Sequence, residues 1–132
     1  MKARAWSIGI VLVAVGFAGA VQDSPHEQAL KSAVESLERI GVALKTIADE
    51  ESAGAAKPQL RKSAVAYVDA RARGDKLPPP EKDEKERLKK IYKPKLEEAL
   101  RKIKLEAGRV ELIPGGKEAL QEIKVVFMKD SK

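Results

Sequence analysis

Apolar residues recur every three or four positions through most of the chain after residue 24, which is the spacing of one face of an α-helix. The first stripe consists of Leu30, Val34, Leu37, Gly41, Leu44 and Ala48, and it is widened by Ala33, Ile40 and Ile47. Ser24 suits its N-cap, Pro25 suits the first helical position, and Glu27 can return to the Ser24 amide as in a capping box. The pattern predicts a first helix over residues 25–48.

A second stripe predicts a helix over residues 50–73. Asp49, Glu50 and Ser52 suit its start, because serine and acidic side chains stabilise the free amides of a first turn. Pro58 weakens the early turns, and Gly74 suits the end. The positions expected to face inward are Leu60, Ala64, Tyr67 and Val68.

The longest stripe follows a proline corner. Residues 77–80 (Leu-Pro-Pro-Pro) cannot form helix interior, so a third helix is predicted after them, over residues 80–111. Pro94 falls inside this helix and removes one backbone hydrogen bond, so we expect a kink there. The inward positions are Leu88, Tyr92, Leu96, Ala99, Ile103, Ala107 and Val110.

Residues 113–116 (Ile-Pro-Gly-Gly) break the chain once more before a last apolar segment, residues 116–128. Val125, Val126 and Phe127 favour a short strand there, but no second strand candidate could pair with it, so a fourth helix is predicted. Four amphipathic segments joined by short breaks predict an all-α fold. We expect an antiparallel three- to four-helix bundle with a long, kinked third helix, forming one domain over residues 21–132.

The chain before this bundle has a different pattern. Lys2 and Arg4 precede an uncharged run from Ala5 to Ala20 that ends in small residues. This is the layout of a secretory signal peptide over residues 1–20. The run is shorter than the about 20 apolar residues that span a bilayer, so cleavage, with no membrane span left afterwards, is favoured over an uncleaved anchor. We therefore expect an exported protein, periplasmic or extracellular.

Few residues are suited to catalysis or to ligating a metal. The chain has no cysteine and one histidine, which excludes disulfides, thiolate catalysis and cysteine-ligated metal sites. The carboxylates fall at helix starts or on polar faces rather than in pairs. We predict no enzyme activity, no catalytic residues, no metal and no cofactor. A remote alternative is a b-type haem carrier, with His26 near the start of the first helix and Met128 near the end of the fourth as axial ligands, since an up-down-up-down bundle places these two helix ends together.

Positive charge is concentrated in the third predicted helix. The whole chain has a net charge of +6, and residues 82–104 contain ten Lys or Arg against five acids. Four acid-first pairs spaced i,i+4 neutralise part of it, including Asp83 with Arg87 and Glu97 with Arg101. The remaining charge is either a solvated face or a site for an anionic partner: envelope polysaccharide, lipid head groups or an acidic protein. The candidate anion-binding residues are Lys85, Lys89, Lys90, Lys93 and Lys95.

Four segments carry a resemblance to a known group: residues 47–60, 77–80, 92–96 and 113–116. They resemble uncharacterised small exported helical proteins of planctomycete-type bacteria. The resemblance implies an exported helical fold and no particular activity. We therefore predict an exported, non-enzymatic helical protein that acts through its surface as an envelope or periplasmic interaction or structural module. The expected partner is an envelope protein or an anionic surface rather than nucleic acid, and a homodimer is the alternative to a monomer.

Overall fold

Residues 23–130 are described by the computed structural model, and they form four α-helices. The helices are α1 (Pro25–Lys45), α2 (Glu50–Lys76), α3 (Lys82–Val110) and α4 (Gly116–Asp130). The predicted all-helical fold is confirmed, and the last segment is a helix rather than a strand. The predicted signal peptide, residues 1–20, lies outside the described residues.

Two helix ends differ from the prediction by three residues, and the other ends differ by at most two. α1 ends at Lys45 instead of residue 48, because Thr46 closes its last turn with its amide and hydroxyl both donating to Ala43 O. Asp49 and Ser52 then form a complete capping box for α2. α2 continues through Gly74 to Lys76 and ends before Pro78, since the residue before a proline disfavours helical backbone.

The four helices pack with α1 between α2 and α3, and α4 lies against α2. α3 meets α4 only weakly, and α2 does not closely approach α3 anywhere in residues 23–130. Contacts from Glu27 to Tyr92 and from Arg109 to Leu44 show that α1 and α3 run in the same direction. Successive helices are therefore antiparallel.

The main core lies along the second half of α1. Its largest fully buried side chains are Leu37, Ile40, Leu44, Ile47, Leu60 and Val110. A smaller cluster of Val34, Leu88 and Tyr92 lies toward the first turns of α1 and α3. The stripes predicted from spacing therefore supply the core, with two exceptions: Ala48 is exposed, and Val68 is half-buried and belongs to neither cluster.

α4 is much shorter than the helix on which it packs. It has 15 residues and α2 has 27, or about 22 Å against about 40 Å at 1.5 Å per residue. Its start lies beside Glu50 and Ala53, and Phe127 near its end packs on Tyr67 with ring centroids 5.5 Å apart. The last turns of α2 therefore extend beyond the end of α4.

Candidate functional site

The five predicted lysines all lie on α3, but the structure does not place them on one surface. Lys85, Lys89 and Lys93 are spaced i,i+4,i+8 and form a line along the helix. Lys90 lies beside this line, in a shallow surface depression that also contains Lys89 and Lys93. Lys95 is separate, because its ammonium lies over the Tyr92 ring, 5.3 Å from the centroid, in the crevice between α1 and α3.

None of the five lysines forms an ion pair with any residue in the described part of the chain. The arginines of α3 behave differently. Arg87 pairs with Glu27 of α1 at 3.2 Å rather than with Asp83, and Arg101 pairs with Glu98 at 2.6 Å rather than with Glu97. None of the four predicted i,i+4 pairs is therefore formed within residues 23–130, and the unpaired positive charge of α3 belongs to lysines.

Lys85 and Lys89 also border an open groove, which is the space between α1, α2 and α3 beyond the end of α4. Its volume is about 440 Å³. Apolar side chains from all three helices line it: Ala29, Leu30 and Ala33 of α1, Tyr67 and Ala70 of α2, and Leu88 and Leu96 of α3. The groove exists because α2 and α3 are held apart by α1, and α4 is too short to fill the gap at this end.

The rim of the open groove is predominantly cationic. Arg71 of α2 and Lys85 and Lys89 of α3 stand on it with a single acidic neighbour, Asp75. The Arg71 guanidinium lies 5.9 Å from the centre of the Tyr67 ring. An apolar floor with three cations on its rim can hold a ligand that has an apolar body and a negative end.

A polar junction beside the groove joins α1 to α3. The Tyr92 hydroxyl donates to Glu27 Oε2 at 2.8 Å, and Arg87 donates to Glu27 Oε1 at 3.2 Å. These two bonds hold the pKa of Glu27 below its ordinary value of 4.5. Burial, followed by the bond to Glu27, raises the pKa of Tyr92 to about 12.

This junction corrects the prediction for the start of α1. Ser24 Oγ accepts from the Glu27 amide at 3.1 Å as expected, but the Glu27 side chain reaches α3 instead of returning to the Ser24 amide. Glu27 and Tyr92 are 65 positions apart. No local spacing in the sequence could have paired them.

The two residues considered for haem occupy different surroundings. His26 Nε2 donates to the Pro78 carbonyl at 2.6 Å, and its Nδ1 lies 3.9 Å from Glu84. These contacts tie α1 to the proline corner. His26 lines the open groove and Met128 does not. Within residues 23–130, no three His, Asp or Glu side chains are grouped closely enough to hold a metal ion.

Comparison with known proteins gives no relative from which a function could be carried over: no family model, no curated protein and no solved structure matches the chain. The resemblance to exported planctomycete-type proteins stays a prediction. Among the described helices, none combines the length and the apolar character needed to cross a membrane.

Proposed function

We propose that this chain is an exported, non-enzymatic interaction module of the cell envelope that binds an anionic partner through α3. Its contact surface is the α3 lysine set, defined as Lys85, Lys89, Lys90 and Lys93. The observation that carries the proposal is that four lysines with no ion pair to any residue from 23 to 130 are clustered on α3, three of them in one line along the helix.

The electrostatic cost of this arrangement supports a binding role. Like charges at i,i+4 repel along a helix, and three members of the set are spaced in this way. The chain has acids in reach, since Glu86 and Glu97 line the same depression, but they make no bond to the set. A phosphate, sulfate or carboxylate from outside would relieve the repulsion, and the attraction would weaken with salt because the site is exposed.

The test is retention on an anionic matrix such as phosphocellulose, as a function of salt. The test variant changes the whole α3 lysine set to Gln, and a matched control changes four exposed or half-exposed lysines of α2 and α4. The control positions are Lys57, Lys62, Lys117 and Lys124. We expect the test variant to elute at clearly lower salt than the control variant.

The two variants have the same net charge, so the comparison separates a local surface from overall charge. Equal elution of the test and control variants would refute the proposal, because retention would then follow net charge alone. Circular dichroism of both variants provides the check that each remains helical.

A further inference from the structure

The open groove combines apolar side chains that are partly reachable from solvent with a cationic rim. Its floor is made of small residues, Ala29 and Ala33 of α1 and Ala70 of α2, all with at most 7% exposure. The larger side chains Leu30 and Leu96 stand at its sides and are half-buried. The floor of the groove is therefore apolar.

The charge of the rim limits the chemistry of the occupant. Three cations, Arg71, Lys85 and Lys89, stand against one acid, Asp75, so the rim has an excess of two positive charges. None of the four forms an ion pair within the described chain. A neutral apolar helix would leave these cations without partners, whereas an occupant with one negative end would use them.

The groove also has the size of a small-ligand site. Its volume of about 440 Å³ lies within the roughly 300–1,000 Å³ that such sites occupy. Its lining extends over residues 26–33 of α1, 67–75 of α2 and 85–96 of α3, or about 10–17 Å along the helices at 1.5 Å per residue. An extended, unbranched apolar chain fits this shape better than a compact ring system.

We propose that the open groove binds a free fatty acid, with its acyl chain along the alanine floor and its carboxylate between Lys85, Lys89 and Arg71. The inference rests on the proposed function, since it uses two members of the α3 lysine set, and it names the chemistry of one anionic ligand. Binding needs no bond to be made or broken. The ligand is held by burial of methylene groups and by charge-assisted hydrogen bonds at the rim.

The first experiment titrates the exported protein with octanoate, decanoate and laurate, each below its critical micelle concentration, and with butyrate as a control. Its N-terminus is read by mass spectrometry beforehand. We expect the Kd from calorimetry to tighten about fourfold for each further methylene that is buried. Amide NMR shifts are expected at Ala29, Ala33 and Ala70. An affinity that does not change with chain length would overturn the proposal.

The second experiment locates the carboxylate. K85E/K89E is expected to weaken laurate binding about tenfold or more, because charge-assisted bonds are lost. The matched control K102E/K104E makes the same change of charge on the same helix, outside both the groove and the α3 lysine set, and we expect a change of about twofold or less. Equal weakening by both variants would contradict a carboxylate bound at the rim.

The same experiments also test two other occupants of the groove, residues 1–20 of this chain and a second copy of the chain. If mass spectrometry shows that residues 1–20 are retained and laurate does not bind, the proposal of a fatty-acid site is overturned. Sedimentation that shows a dimer from which laurate is excluded would overturn the proposal as well. In both cases the salt-dependent retention assay still decides the proposed function separately, since it measures the whole α3 lysine set and not the groove.

Discussion

Replacing Arg109 of α3 with Met removes a guanidinium that donates hydrogen bonds to carbonyls at the end of α1. Its two terminal nitrogens donate to the carbonyls of Ile47 at 2.7 Å and Leu44 at 2.9 Å, and its Nε donates to Glu106 at 2.9 Å. The last carbonyls of a helix lack the amides of a following turn. Leu44 O also accepts from the Ile47 amide at 3.1 Å, Ile47 lies two residues beyond α1, and both residues are fully buried. Arg109 of α3 therefore caps the C-terminal end of α1.

The size of the effect follows from the two carbonyl bonds. A hydrogen bond to a charged group contributes about 1.5–3 kcal/mol, and the Arg109 side chain is 44% exposed, so water replaces part of the loss. We expect Arg109→Met to lower the free energy of unfolding by about 2 kcal/mol. Arg109→Lys is expected to lose about half of that, because a single ammonium reaches one of the two carbonyls.

The assay is urea denaturation followed by circular dichroism at neutral pH. Arg101→Met is the matched control, since Arg101 lies on the same helix and pairs with Glu98, three residues away on α3, rather than with another helix. The control is expected to leave the denaturation midpoint where it is. The reasoning fails if Arg109→Met and Arg101→Met have the same midpoint, or if Arg109→Met is as stable as the parent chain.

Two further predictions concern single positions. The neutral Tyr92 phenol stabilises the fold below its ordinary pKa of 10.0, and this contribution is lost as the pH rises through about 12. The melting temperature of Tyr92→Phe should therefore depend less on pH between these two values than that of the parent chain. Identical pH profiles of the two proteins would contradict this. At Gly116 an added Cβ would lie 1.8 Å from the Val110 carbonyl oxygen, so Gly116→Ala should destabilise by about 3 kcal/mol. At Gly54 an added Cβ meets nothing within 4 Å, so Gly54→Ala should stabilise the fold by about 0.5–1 kcal/mol. If the urea midpoints of Gly116→Ala and Gly54→Ala shifted in the same direction, the steric argument would be refuted.

The helices were predictable because their signals are local. A stripe at three- and four-residue spacing is complete within one helix, and so is a cap such as Asp49 with Ser52. The ends were harder to predict, because Thr46 closes α1 by contacts to Ala43 that compete with continuation of the helix. That competition is decided by where the next helix must begin.

The candidate site was predictable only in part. Spacing gave the line of Lys85, Lys89 and Lys93, but the separation of Lys95 depends on which side of α3 faces α1. The contact between Glu27 and Tyr92 depends on packing between distant parts of the chain. The open groove exists because α4 is shorter than α2. The predicted ranges, 50–73 and 116–128, already differed in length in the same direction.

The position of the polar junction has a consequence for the groove. Leu88 and Leu96 form the α3 side of the groove, and Tyr92 lies between them on the same helix. At this end α4 gives no support, so Glu27 and Arg87 help to hold α3 against α1. Loss of the Tyr92 hydroxyl should therefore loosen one side of the groove.

This predicts a separation between stability and ligand affinity. Tyr92→Phe should weaken laurate binding several-fold. Without the Tyr92 hydroxyl, α3 is held less firmly against α1, and the free energy needed to order this side of the groove is subtracted from the free energy of binding. Arg109→Met lies at the opposite end of α3 and should leave laurate affinity unchanged although it lowers global stability. Calorimetry on both variants, well below their melting temperatures, measures the difference. If laurate affinity fell in proportion to global stability in both Tyr92→Phe and Arg109→Met, the shape of the groove would depend on the stability of the whole bundle. The polar junction would then have no local role in shaping it.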